Sequence, residues 1–285
     1  MGRFSDKVII VTGIFAAKQQ SLGSSNGIGR AAAVLFAKEG AKLTITGRDE
    51  KALEVTKSEC LKAGAKDAYL LSIIGDITNE EIRSKLIDET VKKFGKLNVL
   101  VNNHGGAFHE RDKTGKFLLD IFDKTIDLNC RSSLAMSEKA MSHLKATKGC
   151  IVNVSSIASK MEGTPAIFYA TAKSALDHIT RNLALENAKN GVRINAINPG
   201  LIETQFLKKM GYTDEAVDKT LKVFTEESIP IGRYGVPDDV AHMILFLSDN
   251  VTAGFITGQT FVVDGGTTLT NAWYKNPRMA EIMKH

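Results

Sequence analysis

The chain has 285 residues, long for one folding unit but within the range of single α/β units, and its 43% hydrophobic and 24% charged residues are ordinary for a globular protein. Its 37 basic and 32 acidic residues leave a net charge of +5. Basic pairs such as Lys92-Lys93 and Lys208-Lys209 are dispersed rather than gathered into a run, so no nucleic-acid partner is expected. No stretch approaches the roughly 18 apolar residues of a membrane span, and the start, MGRFSDKVIIVTG, is too short and too charged for a signal peptide. Cys60, Cys130 and Cys150 match no metal or redox spacing, and their odd count argues against a disulfide framework; a reducing, cytoplasmic-type compartment is expected.

Seven short β-branched or apolar runs follow in chain order, at 7–12, 41–46, 67–72, 97–101, 150–154, 192–197 and 260–263. The intervals carry apolar residues three and four apart, as in Ala32, Leu35 and Phe36, then Ile82, Leu86, Thr90 and Phe94, which predicts helices. Strands alternating with helices imply βαβ crossovers and a mainly parallel sheet, and near-continuously apolar strands imply helices on both faces. The expectation is a doubly wound seven-stranded α/β fold in one domain spanning 1–285. The Lys- and Glu-rich segment 201–232 is read as two short helices forming a substrate-side flap, and 270–285 as a tail.

A glycine-rich turn follows the first run. Thr12-Gly13 stands at the strand end, and Gly23-Ser24-Ser25-Asn26-Gly27-Ile28-Gly29 precedes the next helix. Such a turn lets backbone N–H groups approach a pyrophosphate at a helix N-terminus. Strand two ends in Thr46-Gly47-Arg48, without the carboxylate that would bind the ribose 2′-hydroxyl of NAD; Arg48 suits a 2′-phosphate, and Asp49 is read as a helix cap. NADP(H) is therefore expected in preference to NAD(H).

The chemistry is signalled by Tyr169-Ala170-Thr171-Ala172-Lys173, a phenol and an ammonium four apart on one helix face. A nearby ammonium is expected to lower the phenol's pKa, so that Tyr169 exchanges a proton with a carbonyl or alcohol oxygen. Ser155 and Ser156 at the end of the fifth run both offer a hydroxyl to that oxygen. His104 and His109 are read as supporting or solvated residues, and the histidines and cysteines form no metal-ligand pattern.

These residues together resemble the short-chain dehydrogenase/reductase family, over about residues 5–268. The family fingerprint TGxxxGxG is interrupted by residues 14–23 (IFAAKQQSLG); without them the text reads TGSSNGIGR. Either Gly13, at the strand junction, or Gly23, at the right spacing to Gly27 and Gly29, could serve as the first glycine. The resemblance implies a Rossmann fold and a cofactor site that includes Gly13, Gly23, Ser25, Asn26, Gly27, Ile28 and Gly29. It implies further contacts from Asp76 to the adenine, from Asn103 in the NNAG-like Asn102-Asn103-His104-Gly105, from Pro199, Gly200 and Ile202, and from the Thr204 hydroxyl. By the same resemblance Asn129, Ser156, Tyr169 and Lys173 form the proton relay, the thirteen-residue spacing to Tyr169 favouring Ser156 over Ser155, and Lys173 also bonds the nicotinamide ribose. A homotetramer or homodimer is implied, with a small-molecule carbonyl or alcohol as substrate. The alternative is a non-catalytic dinucleotide-binding or interaction protein whose phosphate loop the insertion has damaged. A nucleotide-sugar epimerase or dehydratase would need more chain after the last strand than this sequence has.

Overall fold

The computed structural model describes residues 2–14, 27–162, 166–203 and 213–270. All seven apolar runs form strands: β1 (Val8–Val11), β2 (Lys42–Gly47), β3 (Leu70–Ile74), β4 (Val99–Asn102), β5 (Cys150–Val154), β6 (Arg193–Pro199) and β7 (Thr260–Val263). They pair in parallel in the order β3-β2-β1-β4-β5-β6-β7. The third run starts later than expected. Asp67–Tyr69 forms a single tight turn, tied down by a Lys57–Asp67 ion pair of 2.7 Å, and pairing begins at Leu70.

Between the strands lie α1 (Ile28–Lys38), α2 (Glu50–Lys62), α3 (Glu80–Phe94), α4 (Leu119–Ile126), α5 (Ser132–Thr147), α6 (Ile167–Asn187), α7 (Asp214–Glu227) and α8 (Pro237–Ser248). Asp49 caps α2, its carboxylate accepting from the Ala52 N–H at 3.0 Å as the sequence suggested. Asn79 caps α3, whose first turn holds Glu80 and Glu81 and whose last turn holds Lys92 and Lys93, charges that complement the helix dipole.

Successive strand residues point to opposite faces, and both faces are buried. Ile9, Val11, Leu43, Ile45 and Val152 pack with Phe36 of α1 and Ile244 of α8. Ile10, Leu100, Ile151 and Ile194 pack on the other side with Leu86 of α3, Leu144 of α5 and Ala184 of α6. This two-sided burial is why the strands read as continuous apolar runs instead of alternating ones.

The chain leaves β1 toward β2 and β3, then returns to place β4 on β1's other side. That reversal opens a crevice outside the carboxyl ends of β1 and β4, where open α/β sheets bind ligands. In the segment read as a two-helix flap, the described part holds one longer helix, α7. Thr213 caps it by accepting from the Ala216 N–H at 3.2 Å, and Phe224 is buried beside Leu201 and Tyr234. Residues 204–212 and the tail 271–285 lie outside the described residues.

Candidate active site

Each strand that borders the crevice ends in a residue singled out from the sequence. After β1, Gly13 adopts φ +74°, and a Cβ there would stand 2.6 Å from the His104 Cα, so only glycine fits. The Asn103 side-chain amide donates to the Thr12 and Gly13 carbonyls at 3.1 and 3.0 Å. The same amide lies against Gly29 at the start of α1, so Asn103 gathers both borders of the interrupted glycine segment. Ile14 is buried and its N–H donates to the Thr46 carbonyl at 2.9 Å, which carries the chain across the end of β2. Gly13 thus holds the strand junction. Gly23, Ser25 and Asn26 lie outside the described residues.

The donor set around α1 fits a dinucleotide. Gly27 caps the helix in extended backbone; among the described residues nothing stands where its Cβ would be, no side chain caps the first turn, and no acid stands in it, so Ile28 and Gly29 open a helix end suited to a phosphate. After β2, the exposed Arg48 guanidinium reaches Asp76, at the end of β3, at 3.5 Å. Burial would raise the Asp76 carboxyl, but hydrogen bonds from the Thr78 backbone and hydroxyl and the charge of Arg48 outweigh it and hold it below the usual range. At β6, Gly200 follows Pro199 so close to Asp264 that a side chain would collide with it. Ile202 pairs with Gly235 and packs on the core beneath the crevice. Thr204 lies outside the described residues.

The four residues of the expected relay converge from three directions. Tyr169 and Lys173 stand one turn apart on α6, with the Lys173 Nζ 5.6 Å from the centre of the phenol ring. The Ser156 hydroxyl, just past β5, is near enough to the Tyr169 phenol to oppose the effect of its burial. Ser155 is turned away, its hydroxyl donating to the Lys173 carbonyl at 3.2 Å. Lys173 itself donates to the Val154 carbonyl at 2.8 Å. Asn129 sits in a wide i→i+5 turn, Asp127–Arg131, that joins α4 to α5. Its amide donates to the Gly106 and Thr125 carbonyls at 2.8 and 2.9 Å, and its oxygen accepts from the Gly106 N–H at 3.0 Å. A Cβ on Gly105 would stand 2.7 Å from the Asn129 Oδ1 and 3.0 Å from the Lys173 Nζ, so the two side chains meet across a glycine.

One electrostatic expectation is corrected. The sequence suggested that the Lys173 charge lowers the Tyr169 pKa; instead, burial pushes the phenol up to about 12, with the Ser156 hydroxyl opposing it. Burial also brings the Lys173 ammonium down to about 8, against the charge of Asp177 one turn further along α6. Desolvation disfavours both charged forms, and at this separation it exceeds their mutual attraction. His104 is bridged by the Thr12 and Ser133 hydroxyls at 2.7 and 3.1 Å, and burial brings it down to about 3, so it is neutral and ties β1 to α5. His109 is exposed.

A family model described as enoyl-(acyl carrier protein) reductase matches residues 23–268. The chain belongs to the short-chain dehydrogenase/reductase family of oxidoreductases. A short-chain dehydrogenase/reductase of unknown function from Caenorhabditis elegans, solved with cofactor, is 43% identical, with 94% of this chain and 97% of that one covered and a TM-score of 0.85. Glucose dehydrogenase of Caenorhabditis elegans in the apo form is 41% identical over 94% of this chain and 99% of that one, with a TM-score of 0.77. The 7alpha-hydroxysteroid dehydrogenase of Clostridium sardiniense is 33% identical over 96% of this chain and 98% of its own length.

Three supports of the short-chain dehydrogenase/reductase site rest on long-range contacts; of their residues Asn102 was read only as part of the NNAG-like motif, and Asp177 and Glu110 escaped sequence reasoning. Asn102 and Asn153, neighbours on β4 and β5, form a buried rung: Asn102 donates to Ser137 of α5 and to Asn153, and Asn153 donates to Thr180 of α6. Buried Asp177 accepts from Ser159 at 2.6 Å and from Asn198 at 2.8 Å, and Asn198 also donates to the Ser156 carbonyl. Its spacing of four from Lys173 was a usable signal. Glu110, in the loop after β4, accepts from backbone N–H groups at the start of α6, and nothing in its local sequence announces that contact.

Proposed function

We propose that this protein is an NADP(H)-dependent reductase of carbonyls, or dehydrogenase of the matching secondary alcohols, with Tyr169 as the group that exchanges the proton. A bound nicotinamide supplies or takes the hydride. The observation that carries the reading is the convergence of Tyr169, Ser156 and Lys173 at the carboxyl edge of the sheet. The raised phenol stays protonated at neutral pH and is ready to donate to a carbonyl oxygen. Ser156 steadies that oxygen by hydrogen bonding. Lys173 holds positive charge beside the phenol, and Asn129 supports the lysine from across Gly105. NADPH oxidation against a panel of small ketones, aldoses and oxosteroids tests the activity; no turnover on any class, with NADPH bound, would favour the non-catalytic alternative.

Gly13, Gly27, Ile28, Gly29, Asn103, Pro199, Gly200 and Ile202 are assigned to the dinucleotide, with Gly23, Ser25, Asn26 and Thr204 completing the set. Preference for NADP(H) rests on the exposed guanidinium of Arg48, held beside Asp76 at the end of β3. A charge-assisted contact to a 2′-phosphate is worth about 1.5–3 kcal/mol. Arg48→Ala is therefore expected to lower kcat/KM for NADPH by at least about tenfold while changing that for NADH little. A wild-type enzyme that prefers NADH in steady-state comparison refutes the assignment.

The chain acts, in this reading, as a homo-oligomer in a reducing, cytoplasmic-type compartment, consistent with three buried free thiols. Among the described residues no helix is long and apolar enough to cross a membrane. Leu119 on α4 and Ile167 and Leu185 on α6 are exposed apolar residues that a partner subunit would cover. Sedimentation velocity is expected to show a dimer or tetramer; a monomer at micromolar concentration overturns this.

A further inference from the structure

Among the described residues, the helix that carries Tyr169 and Lys173 has no side-chain cap at its own N-cap position. Its N-cap residue is Ala166, which has no side-chain oxygen. The N–H groups that an N-cap side chain normally satisfies belong to the second and third helical residues, here Phe168 and Tyr169. Both donate to one oxygen of Glu110, at 2.8 and 3.2 Å. The cap is therefore delivered from more than fifty residues upstream, and one of its bonds is to the peptide of Tyr169 itself.

Glu110 is buried, only 6% exposed, and its second oxygen has no hydrogen-bond partner among the described residues. A carboxylate held in such a place needs a compensating interaction. The positive end of α6 supplies one. The segment that presents Glu110 is built to hold it. Leu118 donates back to the Glu110 carbonyl at 2.9 Å, Arg111 bridges to Phe117, and Gly115 turns the hairpin at φ +84°. The Arg111 guanidinium lies 3.6 Å from the centre of the Phe117 ring. Phe117 and Phe122 each pack on Phe168 with ring centres 5.2 Å apart. The hairpin thus grips the first turn of α6 by its side chain and by its backbone.

We propose that Glu110 is a positioning residue for the general acid: it fixes the first turn of α6, and with it the placement of Tyr169 against Ser156, and so couples the 110–118 hairpin to the proton-transfer step. The inference rests on the reading of Tyr169 as the proton donor. It assigns Glu110 no contact with substrate or cofactor.

The experiment compares Glu110→Ala with Glu110→Gln, whose amide oxygen can still accept the same N–H groups. Two readouts are taken on the full chain. The first, independent of turnover, is hydrogen exchange of the 167–169 amides; it should accelerate by about tenfold in E110A and stay near wild type in E110Q, because one cap bond is worth about 1 kcal/mol or more. The second is NADPH-dependent reduction of whichever panel carbonyl the wild type turns over. E110A should lower kcat by about tenfold or more with KM for NADPH within about twofold, and E110Q should recover most of the rate. Wild-type exchange in E110A overturns the capping role. Equal impairment of E110A and E110Q, or kcat and KM for NADPH worsening together, overturns the positioning role. If Tyr169→Phe leaves the rate intact, the proton-donor reading fails instead; if it abolishes the rate while E110A behaves as wild type, only the present inference fails.

Discussion

Tyr169→Phe is expected to lower the turnover number for NADPH-dependent carbonyl reduction by about 10²–10⁴-fold, the usual contribution of a positioned proton donor, with NADPH affinity within about threefold of wild type. The variant removes one oxygen, the one near Ser156, and leaves the ring in place beside Lys173. Packing around α6 is unaffected, because Phe168, Phe117 and Phe122 hold the first turn independently of the phenol oxygen. The loss should therefore fall on the chemical step. Fluorescence titration of NADPH gives the affinity, and single-turnover kinetics give the step. A variant that retains wild-type turnover would show that some other group moves the proton.

Lys173→Met should have the next largest effect, and it has a signature in pH between about 8 and 10.5. The lysine is buried, and burial lowers its pKa from 10.5 to about 8. The sign follows from linkage. Between these two values the unfolded chain binds the proton and the folded chain does not, so stability rises with pH there. The contribution is fully present above the unfolded value and is lost as pH falls through about 8. The difference in unfolding free energy between wild type and K173M should change by on the order of 3 kcal/mol from pH 7 to pH 10.5, in favour of wild type at the alkaline end. Taking the difference cancels the titration of groups that both chains share. Urea unfolding at several pH values measures it, and a flat difference would mean that the ammonium is better solvated or better paired than its burial implies. Turnover at neutral pH should fall as well, by about 10²-fold or more, because the charge beside the phenol is gone.

The expected elements and the observed ones agree where the signal is local. Burial of both faces of a doubly covered sheet produces continuous apolar runs such as Val8–Val11 and Cys150–Val154, and those runs were readable directly. The Asp49 cap was readable because its partner, Ala52, is three residues away. The spacing of Tyr169 and Lys173 was readable because a helix turns once in about 3.6 residues. The late start of β3 was not, since it depends on what the segment packs against. Glu110 lay beyond reach altogether: it meets Phe168 and Tyr169 across a separation of more than fifty residues, inside a polar hairpin with no periodicity to mark it.

The amino-acid order alone determined that strands and helices alternate, that the sheet is mainly parallel, and that a phenol and an ammonium share one helix face, while the asparagine and the choice of serine came from the family resemblance. The tertiary structure decided the strand order, which serine faces the phenol, and the sign of the phenol's shift. The division has one physical cause. Periodicity and capping act over a few residues and are written in the order of side chains, whereas desolvation sums over every atom packed around a group, and only the folded chain assembles that sum.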